Sequence, residues 1–186
     1  MRLQKYILFI AICAAIVSAH AQDTIQKTIG DIYLSAPLSE CAMLTPEQRF
    51  ELIEYAKVGQ HDTITNFLGG KSWMDSINTQ LNYLKIHQTE NTTLELLLKN
   101  NEMLVVKTYY APLGSSNVAI YNTQWQKIRD IKIEMDDCEN LIATFVTAKI
   151  DNETIVLENE TLKQIFDIEK TKYKDCPKTQ IIPLPF

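Results

Sequence analysis

The stretch YLKIHQTENTTLELLLKNNEMLVVKTYYAPLGSSNVAIYNTQWQKI, residues 83–128, decides the fold. It breaks into runs 83–88, 93–99, 103–110, 118–122 and 125–128, each rich in β-branched, aromatic or leucine side chains and separated by polar residues, which predicts an antiparallel meander. Asn100-Asn101 has the composition of a tight hairpin turn, because asparagine tolerates positive φ better than other non-glycine residues. Residues 112–116, Pro-Leu-Gly-Ser-Ser, make a looser connection.

Upstream of the meander the periodicity is helical. Thr45-Pro46-Glu47-Gln48 is a capping box with proline at the first helical position, and Gly59 is a stop signal, so a helix is expected over 46–58. Phe50, Leu52, Ile53, Tyr55 and Ala56 suggest its packed side; Glu47, Arg49, Glu51, Glu54 and Lys57 suggest its solvated one. Residues 62–68 suit a second short helix, and Gly69-Gly70 a flexible break before the sheet. Residues 22–42 either dock as a short helix or lie extended. Downstream, 141–150 is expected to pair with 154–157 across Asp151-Asn152, 160–168 reads as helix or strand, and the tail 181–186, with two prolines, suits an edge strand or a docked extension. Helices first and strands afterwards give an α+β class: N-terminal helix or helices on a mainly antiparallel sheet, with two similar α+β halves as a variant. A doubly wound nucleotide-binding fold is disfavoured.

Residues 1–21 read as a cleaved secretory signal peptide. Arg2 and Lys5 form a basic start, residues 6–17 are apolar, and Ala19-His20-Ala21 places the cut before Gln22. The apolar run, about 18 Å long as a helix, is short for a hydrocarbon core of about 30 Å, and no later segment spans one, so no transmembrane segment is expected after cleavage. Lipidation at Cys13 is disfavoured, since Ile12 precedes it and the cysteine sits inside the apolar run. The expected location is the periplasm or the medium, and the expected mature chain, 22–186, is one α+β domain. The leader carries two of the 18 basic residues and none of the 23 acidic ones, so its loss takes the formal charge from −5 to about −7. An acidic chain without a basic cluster is a poor nucleic-acid partner.

Three cysteines remain after cleavage. Cys138 and Cys176 are the favoured disulfide, with three buried thiols as the alternative. No cysteine spacing suits zinc or a dithiol redox site. Gly69-Gly70-Lys71-Ser72 lacks the first glycine and the preceding strand of a phosphate loop. His61 and His87 stand far apart, and the acidic cluster Glu134, Asp136, Asp137 and Glu139 lacks calcium-loop spacing. No catalytic, metal or cofactor-binding set is therefore assigned. The aromatic residues Tyr109, Tyr110, Tyr121 and Trp125 fall together in the meander and either cover the 46–58 helix or form an exposed patch able to bind a protein or glycan partner in the envelope.

Residues 76–128, with Tyr83-Leu84-Lys85-Ile86, Thr93 to Leu98, Val105 to Pro112, Ile120-Tyr121-Asn122 and Trp125, resemble the meander of the domain-of-unknown-function family numbered 3256, exported proteins of gut and oral Bacteroidales. The likeness reaches back through the 46–58 helix and the Gly69-Gly70 break. It implies an envelope location and an α+β fold, and brings no activity. Asp23-Thr24-Ile25, Asp62-Thr63-Ile64 and Asp75-Ser76-Ile77 each resemble the Asp-Ser/Thr-apolar acceptor of general O-glycosylation in that group, making Thr24, Thr63 and Ser76 candidate sites; ordinary turn residues are the alternative. The leading reading is a non-catalytic binding or interaction module that offers a sheet surface or edge. A hydrolase-like enzyme, expected to hold a histidine or carboxylate in a deep pocket, and a structural or inhibitory module are the alternatives.

Overall fold

The alternating runs of residues 83–128 build the centre of a seven-stranded antiparallel sheet, seen in a computed structural model that describes residues 27–136, 145–165 and 171–186. The strands follow chain order: β1 (Ile64–Thr65), β2 (Lys71–Asn78), β3 (Tyr83–Thr89), β4 (Thr92–Lys99), β5 (Glu102–Tyr109), β6 (Ser115–Asn122) and β7 (Lys127–Ile131). Asn100 and Asn101, at φ 53° and 63°, join β4 to β5 with Lys99 opposite Glu102. Both turn residues are left-handed, as a two-residue hairpin matched to the strand twist requires.

The sheet begins earlier than residue 83. The alternation of β2 is hidden by a bulge: Asp75 is inserted between the pairs Met74·Ile86 and Ser76·Lys85, so the side-chain phase shifts within the strand. Residues 62–68, expected as a helix, instead form β1 and a hairpin loop. Asn66 organises that loop, its side-chain oxygen accepting from Leu68 N at 3.0 Å and Gly70 N at 3.1 Å. Gly69-Gly70 is thus a closed turn, and its amides are spent on Asn66 instead of being open to a phosphate.

One face of the sheet carries α1 (Ile29–Leu34) and α2 (Pro46–Lys57). Each starts with a capping box, Thr28/Asp31 and Thr45/Gln48. Ile29, Ile32, Tyr33, Leu52 and Ile53 pack on Met74, Leu84, Ile86, Leu94, Leu96 and Val105, so the N-terminal helix is firmly docked. Two residues of α2 exchange the sides their polarity suggests. Phe50 is 54% exposed, whereas Arg49 is 2% exposed and donates to Tyr33 O at 2.9 Å and Ala36 O at 2.8 Å. The α1 C-terminus supplies carbonyls that need a donor, and a guanidinium meets that need better than an aromatic ring.

Against the other face stacks a second sheet in the order β10 (Thr179–Pro183), β9 (Thr154–Asn159), β8 (Val146–Asp151), with a one-turn α3 (Glu160–Lys163) after β9. Val146, Ala148, Ile155 and Leu157 pack on Leu97, Leu104, Val106, Val118 and Ile120. Leucine and valine on both faces of β4 and β5 follow from their place between these layers. The two β regions are unequal, seven strands against three.

Every sheet edge is guarded. β1 is two residues long, and β7 carries a register shift beside Lys127, Arg129 and Asp130. β10 ends in Pro183. The free edge of β8 is closed by side chains of the large sheet: Ala148 N donates to Ser116 Oγ at 2.8 Å, Thr108 Oγ1 donates to Ala148 O at 3.2 Å, and Ile150 N donates to Glu95 Oε2 at 2.9 Å. Short, bulged, charged or capped edges resist pairing with another chain.

Candidate functional site

Helix α2 packs on β2 and α1 on β3 and β4, so among the described residues the same face of β5, β6 and β7 is the less covered part, although Met103, Val105 and Ala119 on it are still buried. Strand register places Lys107 beside Asn117, Val105 beside Ala119 and Ala119 beside Asp130. Tyr109 stands at one end, opposite Ser115, and Tyr121 at the other, opposite Lys127. Tyr121 lies six residue steps beyond Ser115, so the trough runs about 20 Å along the strands. It is half-open, encloses about 540 Å³, and has Glu40 of the α1–α2 loop as one wall.

Its charges are mutually satisfied. Lys107 Nζ lies 3.1 Å from Glu40 Oε2, and Lys127 Nζ 3.0 Å from Asp130 Oδ1. Tyr121 donates its hydroxyl to Glu40 Oε1 at 3.3 Å, and burial followed by the Glu40 charge pushes that hydroxyl up to about 12. The Asn117 carboxamide and the Tyr109 hydroxyl have no protein partner among the described residues. The trough therefore offers unspent hydrogen-bonding groups at Asn117 and Tyr109, and the charges of its four ionic lining residues sum to zero.

Of the four aromatics singled out in the sequence, the structure brings Tyr109 and Tyr121 to this trough and separates the others. Tyr110 is exposed beyond the end of β5. Trp125 is 8% exposed and donates Nε1–H to Ile32 O at 2.8 Å, holding α1 from a turn where its own φ is 61°. Its left-handed backbone is explained by Asn122, whose side-chain oxygen accepts from Gln124 N and Gln126 N and closes the turn. Tyr121 meets Trp125 edge-on at 5.9 Å, so one tyrosine serves both core and trough. Glu40, Lys107, Asn117 and Asp130 carry no signal of their own in the sequence; only strand register joins them.

The opposite face holds a second polar cluster, over β2 and β3 where the small sheet does not reach. The bulge aims Asp75 at His87, whose Nε2 lies 3.1 Å from Asp75 Oδ2, and Trp73 stacks on the His87 ring at 4.1 Å. Burial outweighs Asp75 and lowers the His87 pKa. Lys85 reaches Asp75 at 3.5 Å and Glu95 at 3.8 Å. Glu95 also accepts from Tyr83 OH at 3.0 Å, and burial raises its pKa. His87 Nδ1 and Thr93 Oγ1, cross-strand neighbours, are buried without a partner. His87 lines none of the cavities described, and the cleft of about 730 Å³ between the sheets is reached by Tyr83 alone of this cluster. His61 is exposed and meets Met74 O at 3.1 Å.

Cys41 is a buried free thiol, pushed up to about 11 by burial. Cys176 is disulfide-bonded; Cys138 lies outside the described residues. Thr24 and the leader also lie outside them, Thr63 is exposed ahead of β1, and Ser76 is half-buried within β2. Among the described residues no three of His, Cys, Asp and Glu converge to hold a metal ion, and no helix is long and apolar enough to cross a membrane.

The sequence profile of the family described as "Protein of unknown function (DUF3256)" matches residues 21–183. The chain belongs to this family. No curated protein matches it. A solved structure, "Structure of a domain of an uncharacterized protein from Porphyromonas gingivalis W83", is similar with TM-score 0.65 at 14% identity, over 82% of this chain and 92% of that one. At that identity the likeness concerns the fold. This DUF3256 chain and that domain thus share an overall fold, which here is α+β.

Proposed function

We propose that this DUF3256 chain is an exported, non-catalytic binding module that holds an extended partner in the trough over β5–β7. The observation that supports this most is the trough itself: an elongated, half-open strip on the helix-bearing face of the sheet, with tyrosines at both ends and unspent polar groups along it. Guarded edges turn the partner toward a face instead of an edge. The leader, with its cut before Gln22, puts the module in the envelope; the Cys138–Cys176 bridge and sugars on Thr24, Thr63 or Ser76 belong to the same reading.

Hydrogen exchange of the chain with and without a soluble envelope fraction tests the site. Protection on β5, β6 and β7 with β2 and β3 unchanged is expected. Protection confined to the Trp73–His87 face, or none, refutes it. N-terminal sequencing of protein recovered from the envelope should begin at Gln22, and an intact Met1 in the cytosol would overturn export.

A further inference from the structure

We infer that the occupant of the trough is a neutral oligosaccharide chain, an inference that rests on the binding reading above and names its ligand. Three properties of the strip lead there. First, charge: each cation already faces an anion, Lys107 with Glu40 and Lys127 with Asp130. A charged ligand would have to break one of these pairs, and the Lys107 and Glu40 side chains, only 15% and 20% exposed, are costly to leave unpaired.

Second, backbone: β5 is hydrogen-bonded on both sides, to β4 and β6, and β6 to β5 and β7. A peptide laid across them would find no main-chain partner and would leave its own amides to be met by side chains alone, which is unfavourable where water is displaced. A sugar chain carries hydroxyls that need side-chain donors and acceptors and no other kind. Asn117, Tyr109, Asp130 and Lys127 supply both.

Third, shape and surface: the floor is Val105 and Ala119, both short side chains and themselves buried, and the Tyr109 ring, 39% exposed, offers the accessible apolar face with a polar tip. The C–H face of a pyranose packs on such a ring while its equatorial hydroxyls reach the rim. The length of about 20 Å suits several linked sugars and exceeds what a monosaccharide needs.

The test is ¹⁵N NMR titration of the exported chain with hexasaccharides of neutral glucan, xylan, mannan and chitin type, beside an oligogalacturonate and an unstructured peptide of mixed sequence. A neutral sugar should give saturable shifts confined to Lys107, Tyr109, Asn117 and Tyr121. Tyr109→Ala and Asn117→Ala, both on exposed positions, should each weaken it about tenfold, the loss of one good contact, while Leu81→Ala in the β2–β3 turn, outside the trough lining, leaves it unchanged. Shifts at the trough with the peptide or the oligogalacturonate only would overturn the glycan while leaving the binding site standing. Failure of every neutral sugar to shift the trough also overturns it. If the envelope fraction protects nothing on β5–β7 either, the binding reading falls with it.

Discussion

Replacing Glu95 by alanine or by glutamine separates two roles that one carboxylate performs. Its side chain is 2% exposed, and Oε2 accepts from Ile150 N at 2.9 Å and Tyr83 OH at 3.0 Å, so it closes the β8 edge and joins the two sheets. Alanine leaves the Ile150 amide without an acceptor at that junction, a cost of about 1–3 kcal/mol, and adds a void. Relief of a buried charge offsets part of this. A net loss of about 2–3 kcal/mol is expected, which lowers a urea midpoint by roughly 1 M for a slope of about 2 kcal/mol/M. Glutamine keeps a carbonyl for Ile150 and loses the charge, so it should stay within about 1 kcal/mol of the parent at neutral pH. The pH dependence gives the sharper test. Burial raises the Glu95 pKa above its ordinary 4.5, so the folded state binds this proton more tightly than the unfolded chain. Its contribution is fully present below the unfolded value and is lost as pH rises through the folded one. Urea melts of parent and Glu95→Gln at successive pH values from the unfolded carboxylate's range upward should therefore show the variant gaining on the parent as pH rises. A constant difference across the range, or a glutamine loss equal to that of alanine, would refute the argument.

Arg49→Met should cost about 3 kcal/mol and lower the melting temperature by roughly 6–12 °C, because the buried Ala36 carbonyl loses its donor and α1 its tie to α2; a circular-dichroism melt within about 2 °C of the parent would show that the guanidinium is dispensable. At Gly114 an added Cβ would stand 2.7 Å from Thr147 Cγ2 and 2.8 Å from Glu160 Cγ. Gly114→Ala should accordingly lose about 1–3 kcal/mol in urea titration by overpacking the junction with the small sheet, and no loss would show that the two side chains move aside freely.

The parts of the fold readable from sequence are those in which local chemistry and tertiary need agree. β4 and β5 carry apolar residues for two cores and are joined by asparagines suited to left-handed φ. The capping box at Thr45 starts α2 where the pattern places it. The unread parts are those where one need overrides the other. The bulge at Asp75 breaks the period of β2, Arg49 enters the interior for carbonyls 13 and 16 residues upstream, and Trp125 leaves the strand pattern to hold α1. The trough was half legible. Tyr109 and Tyr121, on the neighbouring strands β5 and β6, were singled out as aromatics in the sequence, whereas Glu40 meets Lys107 across 67 residues, a contact that only the register and the α1–α2 loop create.

The open strip follows from dimensions. From β2 to β7 the large sheet is five strand spacings wide, about 24 Å, and its eight-residue strands run about 26 Å. Two helices side by side cover about 20 Å of width, and α1, with six residues, covers only about 9 Å of length. The helices alone therefore cannot cover that face; the α1–α2 loop, with Cys41 and Leu44 buried against it, adds to the cover, and since α2 sits on β2, the deficit falls at β5–β7. The three-stranded sheet has the same problem on the other face: held over β4 to β6 by Glu95, Thr108 and Ser116, it leaves β2 and, beyond Tyr83, β3 without a covering layer among the described residues. The two bare strips lie at opposite ends of one sheet, and both are faced with polar and aromatic side chains where a core strand would carry leucine. They differ in what they leave unspent. The Trp73–Asp75–Lys85–His87 strip bonds largely to itself and buries its two unpartnered atoms, His87 Nδ1 and Thr93 Oγ1, away from solvent, whereas the strip between Tyr109 and Tyr121 keeps Asn117 and a tyrosine hydroxyl free at exposed positions, and the proposed binding reading rests on that difference.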